Sequence, residues 1–213
     1  MIKKLFTAGI LTLLMLMIPI KSQAPDTPVV EDDTNRIIQH IMLAETHEVF
    51  ILDQGFTGGM CTGTVLENSN KAVVLTAKHC ISIQPEIYVE GIKVEDYEVS
   101  KTYDLALLYL EDVVEDKVPA VIGTKNARRG DELFGLGYSS ITGFPLYGTH
   151  FFSIGHNAQA KMEVRSGCSG GGLFNTEGEL VGVVWGYNRI GLRIYTPISF
   201  VQKFLDEVGY VQK

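Results

Sequence analysis

Apolar and polar residues alternate in short runs along most of this chain, and turn residues punctuate the runs at fairly regular spacing. Val49-Phe50-Ile51-Leu52 stops at Asp53-Gln54-Gly55. Residues 61–66 lead into the turn Glu67-Asn68-Ser69-Asn70, and 72–76 follow with a β-branched centre. Residues 87–90 break at Gly91 and resume over 92–94. Further runs cover 104–110, 133–137, 148–154, 172–174, 180–185 and 193–196. Short strands at such spacing, without long helices between them, predict an all-β sandwich or barrel. The 22 glycines suit the tight corners that barrels turn. Only one stretch changes period convincingly. Ile198, Val201, Phe204, Leu205 and Val208 make the i, i+3, i+4 stripe of an amphipathic helix over 197–208, with Gly209 as its stop. Residues 36–44 are compatible with a short helix or an extended entry segment. No internal repeat or low-complexity tract interrupts the pattern.

The first 24 residues follow a different rule. Met1-Ile2-Lys3-Lys4 is a short basic start, 5–20 is apolar and uncharged, and Ser22-Gln23-Ala24 offers small residues to a signal peptidase. This is the pattern of a secretory signal peptide, with Ala24 the expected last residue removed and Pro25 an awkward neighbour for the cut. A retained anchor would need about 20 apolar residues to span a bilayer, and this run is shorter. Residues 25–35 are rich in Pro and Asp and read as a leader. The expected organisation is a signal peptide over 1–24, a leader or linker over 25–44, and a folded domain over 45–213 that divides near 115–130. The expected location is secreted or periplasmic.

Composition narrows the function classes. The 213 residues are 46% hydrophobic and 20% charged, an ordinary globular balance. The formal charge is -7, and removing Lys3, Lys4 and Lys21 with the signal makes the mature chain more acidic. Nucleic acid is therefore not an expected partner, because phosphate binding needs concentrated Lys and Arg. His40, His47, His150 and His156 lack metal-ligand spacing, so neither metal nor cofactor is expected. Export permits disulfides, and Cys61, Cys80 and Cys168 allow at most one intramolecular bridge.

Three residues stand in settings that suit catalysis. Ser169 lies in Gly167-Cys168-Ser169-Gly170-Gly171-Gly172. Glycines there permit positive-φ backbone and close approach, so the amides of Gly167 and Ser169 can converge on one developing oxyanion. The plainer reading is a glycine-rich turn with a bystander serine. His79 ends the apolar run Val73-Val74-Leu75-Thr76 at a rim, where an imidazole can be held and still meet solvent. A serine hydroxyl is a poor nucleophile until such a base takes its proton. Asp104 opens the apolar run Asp104-Leu105-Ala106-Leu107-Leu108, where a carboxylate is costly unless paired. An imidazole N–H would pair it; an ordinary strand-edge aspartate is the alternative.

In order, these segments resemble the chymotrypsin-like, or trypsin-fold, serine peptidases. Leu75-Thr76-Ala77-Lys78-His79-Cys80 is similar to that family's histidine box, with Lys78 where alanine is usual. Asp104-Leu105-Ala106-Leu107-Leu108 is similar to its aspartate box, and Gly167-Cys168-Ser169-Gly170-Gly171 to its serine box. Val181-Gly182-Val183-Val184-Trp185-Gly186 resembles the strand lining its substrate cleft. The resemblance runs from about Glu48 to the C-terminal helix. It implies two antiparallel six-stranded barrels and a catalytic triad of His79, Asp104 and Ser169. It also implies an oxyanion hole at Gly167 and Ser169, and a cleft lined by Glu163, Val184, Trp185, Gly186 and Arg193. The Cys61–Cys80 pair is where the family commonly places a bridge.

The departures from the family pattern carry information. Cys168 stands where animal trypsins carry the aspartate that pairs with a new N-terminus, and no Ile-Val-Gly-Gly segment is present. A trypsin-type activation switch is therefore not expected. The compact spacing is closer to bacterial and viral members, including the glutamyl-endopeptidase and HtrA-like groups, with no PDZ domain expected after the helix. A cysteine nucleophile at Cys168 is disfavoured, because the frame puts Ser169 in the nucleophile position; a small buried hydrophobe is the expected role. Arg193 would favour an acidic side chain before the scissile bond, or neutralise Glu163 and leave a narrow polar pocket, or lie with Glu163 on the surface. Trp185 reads as a cleft wall or as core packing, and Lys78 as solvent-exposed. The expected function is that of an exported, monomeric serine endopeptidase acting on polypeptides. An inactive binding module on the same fold and an esterase using the same site are the alternatives.

Overall fold

The computed structural model describes residues 45–51, 60–81, 86–138, 143–163 and 166–212. The expected signal peptide over 1–24, the expected leader over 25–44 and the open reading of 36–44 lie outside the described residues. Six strands come first: β1 (Glu45–Ile51), β2 (Met60–Asn68), β3 (Ala72–Thr76), β4 (Glu86–Val89), β5 (Ile92–Val99) and β6 (Ala106–Leu110). They close a barrel in the order β1-β2-β3-β6-β5-β4. Seven more follow: β7 (Val121–Ile122), β8 (Glu132–Tyr138), β9 (Gly143–Ile154), β10 (Asn157–Met162), β11 (Gly172–Phe174), β12 (Glu179–Tyr187) and β13 (Arg193–Pro197). Their order is β11-β8-β9-β10-β13-β12-β7, and an added β11–β12 pairing brings the sheet round on itself. Every pairing is antiparallel except β12 with the two-residue β7. The all-β architecture expected from the strand pattern is thus the one observed.

Three apolar clusters explain why the strands read as they do. Val65, Val74, Ala106 and Leu108 fill the first barrel. Leu133, Ala158, Leu173, Val181 and Tyr195 fill the second. Leu66, Val73, Leu75 and Leu107 face the other way and meet Phe134, Phe174 and Val183 between the barrels. Strand β3 is consequently buried at all five positions, which is why 72–76 is a continuous apolar run rather than an alternating one. A single turn of helix, α1 (Lys78–Ile81), follows β3. The C-terminal helix α2 (Ile198–Glu207) seals the inter-barrel cluster with Ile198, Val201, Phe204 and Leu205. Burial of each such side chain contributes roughly 1.5–3 kcal/mol. Helix α2 ends with Gly209 at φ +72, and the Tyr210 N–H returns to the Leu205 carbonyl.

Strand β10 and the second half of β5 escaped the hydrophobic pattern for identifiable reasons. In β10 the buried positions are Ala158, Ala160 and Met162, and the two alanines are too small to register against Gln159 and Lys161. The second half of β5 is exposed on both faces, so its Glu95-Asp96-Tyr97-Glu98 carries no buried period. Strand β6 also begins at Ala106, leaving Asp104 and Leu105 in the loop before it.

Candidate active site

Strand β3 delivers His79 to the rim of the first barrel. Cys80 and Ile81 are buried beneath α1, while the His79 side chain is 47% exposed. Cys80 is bonded to Cys61 of β2, which ties the short turn to the barrel wall. Asp104 grips the histidine twice. One carboxylate oxygen lies 2.7 Å from His79 Nδ1, and the other accepts the His79 backbone N–H at 2.8 Å. A carboxylate so placed favours the proton on Nδ1, holds the ring orientation, and leaves Nε2 available as a base.

The loop that carries Asp104 is organised by its own residues. Ser100 is fully buried, and its hydroxyl oxygen accepts the N–H groups of Thr102 and Tyr103 at 3.2 and 3.0 Å. Its backbone N–H donates to the Leu105 carbonyl at 3.0 Å. Lys78 Nζ donates to the Ser100 carbonyl at 2.8 Å. Lys78 is therefore half-buried rather than solvent-exposed, because its ammonium reaches across to cap this loop. Tyr103 packs against Phe200 of α2 and His156 of the β9–β10 turn, with ring centroids 5.4 and 5.8 Å away.

The serine loop is pinned from both barrels. Gly167 and Gly170 have φ of +86 and +90, conformations that glycine adopts without strain. The Gly170 N–H donates to the Val184 carbonyl at 2.7 Å, and the Val184 N–H donates to the Gly171 carbonyl at 2.9 Å. The Ser169 carbonyl accepts the Thr62 N–H at 2.8 Å. Gly170 fits so tightly that an added Cβ would lie 2.0 Å from the Thr62 carbonyl oxygen. Ser169 is half-buried, and its carbonyl oxygen lies 3.7 Å from Cys80 Sγ. The same sulfur lies 3.9 Å from His79 Nε2, so the free edge of the imidazole and the Ser169 backbone share one neighbour. Among the described residues, the amides of Gly167 and Ser169 donate to no backbone carbonyl. Cys168 is fully buried in the second-barrel cluster and takes no part in the disulfide.

The cleft residues fall on β12, β13 and the end of β10. Val184 is fully buried and pairs with Tyr195, and Gly186 pairs with Ile194, so Trp185 is the extra residue of a bulge. Its ring is partly buried against the first-barrel cluster. Arg193 is not on the surface. It is 2% exposed, and Nη2 donates to the backbone carbonyl of Glu163 at 2.6 Å. Glu163 itself is exposed. Beside them Tyr195 Oη lies 2.7 Å from Nδ1 of the buried His150. Burial pushes the His150 imidazole below its ordinary pKa, against the opposing pull of Asp131. Burial also holds the Tyr195 phenol well above its ordinary range. Cys61, His79 and Cys80 place potential ligand atoms within 4.8 Å of one another, but the two sulfurs are bonded to each other, which leaves a lone imidazole and no metal set. Thr62 and Ser100 went unnoticed in the sequence, where an isolated buried hydroxyl has no signature.

Comparison with known proteins places the fold and the family. The model of the trypsin-like peptidase domain family matches residues 61–183. That is more than half of the chain, which belongs to this family and hence to the class of serine-type endopeptidases. Among solved structures, a serine endoprotease from Yersinia pestis superposes with a TM-score of 0.70 at 20% identity. The match covers 82% of this chain, which spans 65% of the Yersinia protein's length. The inactive form of the Rv3671c protease gives 0.69 at 18% identity, over 83% of this chain and 94% of that one. A serine-to-alanine mutant of Rv3671c from M. tuberculosis H37Rv gives 0.68 at 16%, over 87% and 98%. At such identities the likeness is one of fold. No curated protein sequence matches the chain. The family acts on polypeptides, and no described helix is long and apolar enough to cross a membrane.

Proposed function

We propose that the chain is an exported serine endopeptidase whose catalytic triad is His79, Asp104 and Ser169. The observation that carries this reading is the two-point grip of Asp104 on His79, at 2.7 and 2.8 Å, beside a glycine loop that presents Ser169. In the proposed reaction Ser169 Oγ attacks the scissile carbonyl carbon while His79 Nε2 takes its proton. The carbonyl π pair moves onto oxygen, and the amides of Gly167 and Ser169 receive the oxyanion. Collapse expels the amine, which leaves with the proton from Nε2. Water then attacks the acyl-enzyme by the same route, releasing the acid and restoring Ser169. Asp104 keeps the imidazole in the required tautomer and stabilises its cation.

The substrate strand lies against Val184, Trp185 and Gly186, and Glu163 and Arg193 form the pocket for the side chain before the scissile bond. The Arg193 guanidinium, held at that depth with Nη2 on the Glu163 backbone carbonyl, favours an acidic side chain there. The signal pattern over 1–24 supports release to the periplasm or medium.

Hydrolysis of a mixed peptide library by the protein starting at Pro25, beside a Ser169→Ala control, tests this reading. Cleavage after Asp or Glu that vanishes in the control is the expected result. Cleavage after other residues would discard the acidic preference and keep the mechanism. Absence of cleavage and of labelling by a fluorophosphonate probe would overturn the peptidase reading in favour of a binding module. N-terminal sequencing of the exported protein checks the cut after Ala24.

A further inference from the structure

Thr62 occupies an unusual position between the barrels. It lies on β2 of the first barrel and is fully buried, yet its polar groups are spent on the second. Its hydroxyl donates to the Gly167 carbonyl at 2.7 Å. The same oxygen accepts the Tyr138 N–H, at the end of β8, at 3.0 Å. Its backbone N–H donates to the Ser169 carbonyl at 2.8 Å. Its backbone carbonyl accepts the Thr76 hydroxyl at 3.0 Å, which fixes the residue from behind.

These contacts decide which way the serine loop faces. The carbonyls of Gly167 and Ser169 both point inward at one residue. The Gly170 amide is taken by Val184 and the Gly171 amide by the Cys168 carbonyl at 3.1 Å. With those groups held, the amides of Gly167 and Ser169 donate to no backbone carbonyl among the described residues. The weak point is the peptide after Gly167. That carbonyl shares its plane with the Cys168 N–H, in the link between the Gly167 and Ser169 amides, and the backbone freedom of glycine means that nothing intrinsic to Gly167 keeps it turned inward. The Thr62 hydroxyl does, because an inward carbonyl without it would be a buried acceptor left unsatisfied.

We infer that Thr62 is a positioning residue: its side-chain hydroxyl selects the orientation of the Gly167–Cys168 peptide, the link between the two oxyanion-binding amides, and so sets their relative placement. The inference rests on the peptidase reading for its catalytic consequence but not for its structural content. The test therefore has two independent arms. In the kinetic arm, Thr62→Val keeps the shape and removes the donor, while Thr62→Ser keeps the donor. The expected result is a kcat lowered about 10–100-fold in Thr62→Val with KM nearly unchanged, somewhat less than loss of a whole oxyanion donor, and near-parental kcat in Thr62→Ser. Parental kcat in a folded Thr62→Val, or equal losses in both variants, would overturn the inference. If Thr62→Val does not fold, Thr62→Ala is read by the same criteria.

The structural arm uses NMR of protein labelled in glycine carbonyl carbon and cysteine nitrogen. The Gly167 carbonyl and the Cys168 amide should shift in Thr62→Val and return in Thr62→Ser. Unchanged resonances would overturn the inference even in an active enzyme. Should the parental protein neither cleave nor label, the peptidase reading fails on that result alone. The resonances then still decide whether Thr62 orients the loop.

Discussion

The two halves of the candidate site are held by different means. The acid–base half is local. Ser100 caps the Asp104 loop from within, Lys78 reaches it from the next residue to His79, and a single disulfide ties down the histidine turn. The nucleophile half is assembled at long range. Ser169 and its flanking glycines are fixed by Thr62 from the first barrel and Val184 from across the second. A site built this way can lose its nucleophile geometry while its histidine–aspartate pair remains intact. The reverse also holds, so perturbations of the two halves should have separable signatures.

The largest effects should fall on the chemistry. Ser169→Ala is expected to lower kcat by about 10⁶-fold without changing thermal stability. Asp104→Asn should lower it by about 10⁴-fold, because the wrong tautomer would then face Ser169. Activity assays beside melting curves separate both from unfolding. A mutated acid–base half that left turnover within tenfold would mean the two halves do not act together.

Gly170→Ala strikes the long-range half through packing. The added Cβ would meet Thr62 O at 2.0 Å and Thr76 Oγ1 at 2.1 Å, at a φ of +90. Such overlap with backbone, plus strain, should cost roughly 4 kcal/mol or more and shift the denaturant midpoint accordingly. Paired Cys61→Ala and Cys80→Ala substitutions strike the local half and should cost roughly 3 kcal/mol in the chain-entropy model. Fluorophosphonate labelling of the folded fraction should slow, since His79 sits on the turn that the bridge ties down.

Phe200→Ala removes the aromatic clasp that joins Tyr103 to helix α2 and His156. About 1 kcal/mol of stability should be lost, with a modest fall in kcat/KM as the Asp104 loop loosens.

The smallest effect is one of pH. His150 is buried and neutral beside Tyr195, with its pKa depressed by burial and only partly restored by Asp131. Below about pH 6.5 the unfolded chain takes up a proton that the folded protein resists, so stability is full above that pH and falls as the medium is acidified. His150→Gln should flatten that slope without moving the activity of the His79 pair.

The same division explains how much was legible beforehand. His79, Asp104 and Ser169 stand in short motifs whose neighbours announce them, because rim position and glycine flexibility are local properties. Strands such as 72–76 and 106–110 were visible because burial on both faces leaves a continuous apolar run. Strand β10 was not, since two of its three buried side chains are alanines. Arg193 was placed in the cleft by counting, but its burial and its bond to the Glu163 backbone depend on strand register between β10 and β13.

By itself, the sequence determined the all-β class, the C-terminal helix, the order of the chemical motifs and the residue types at the candidate site. Those follow from side-chain period, glycine placement and the costs of burying charge, all of which act between near neighbours. Tertiary structure alone decided that Thr62 meets both Tyr138 and the serine loop, that Lys78 caps Ser100, and that Trp185 is re-aimed by a bulge. The first is set by how the barrel packs against the second sheet and the others by loop and strand register within each half, and such contacts leave no period in the chain.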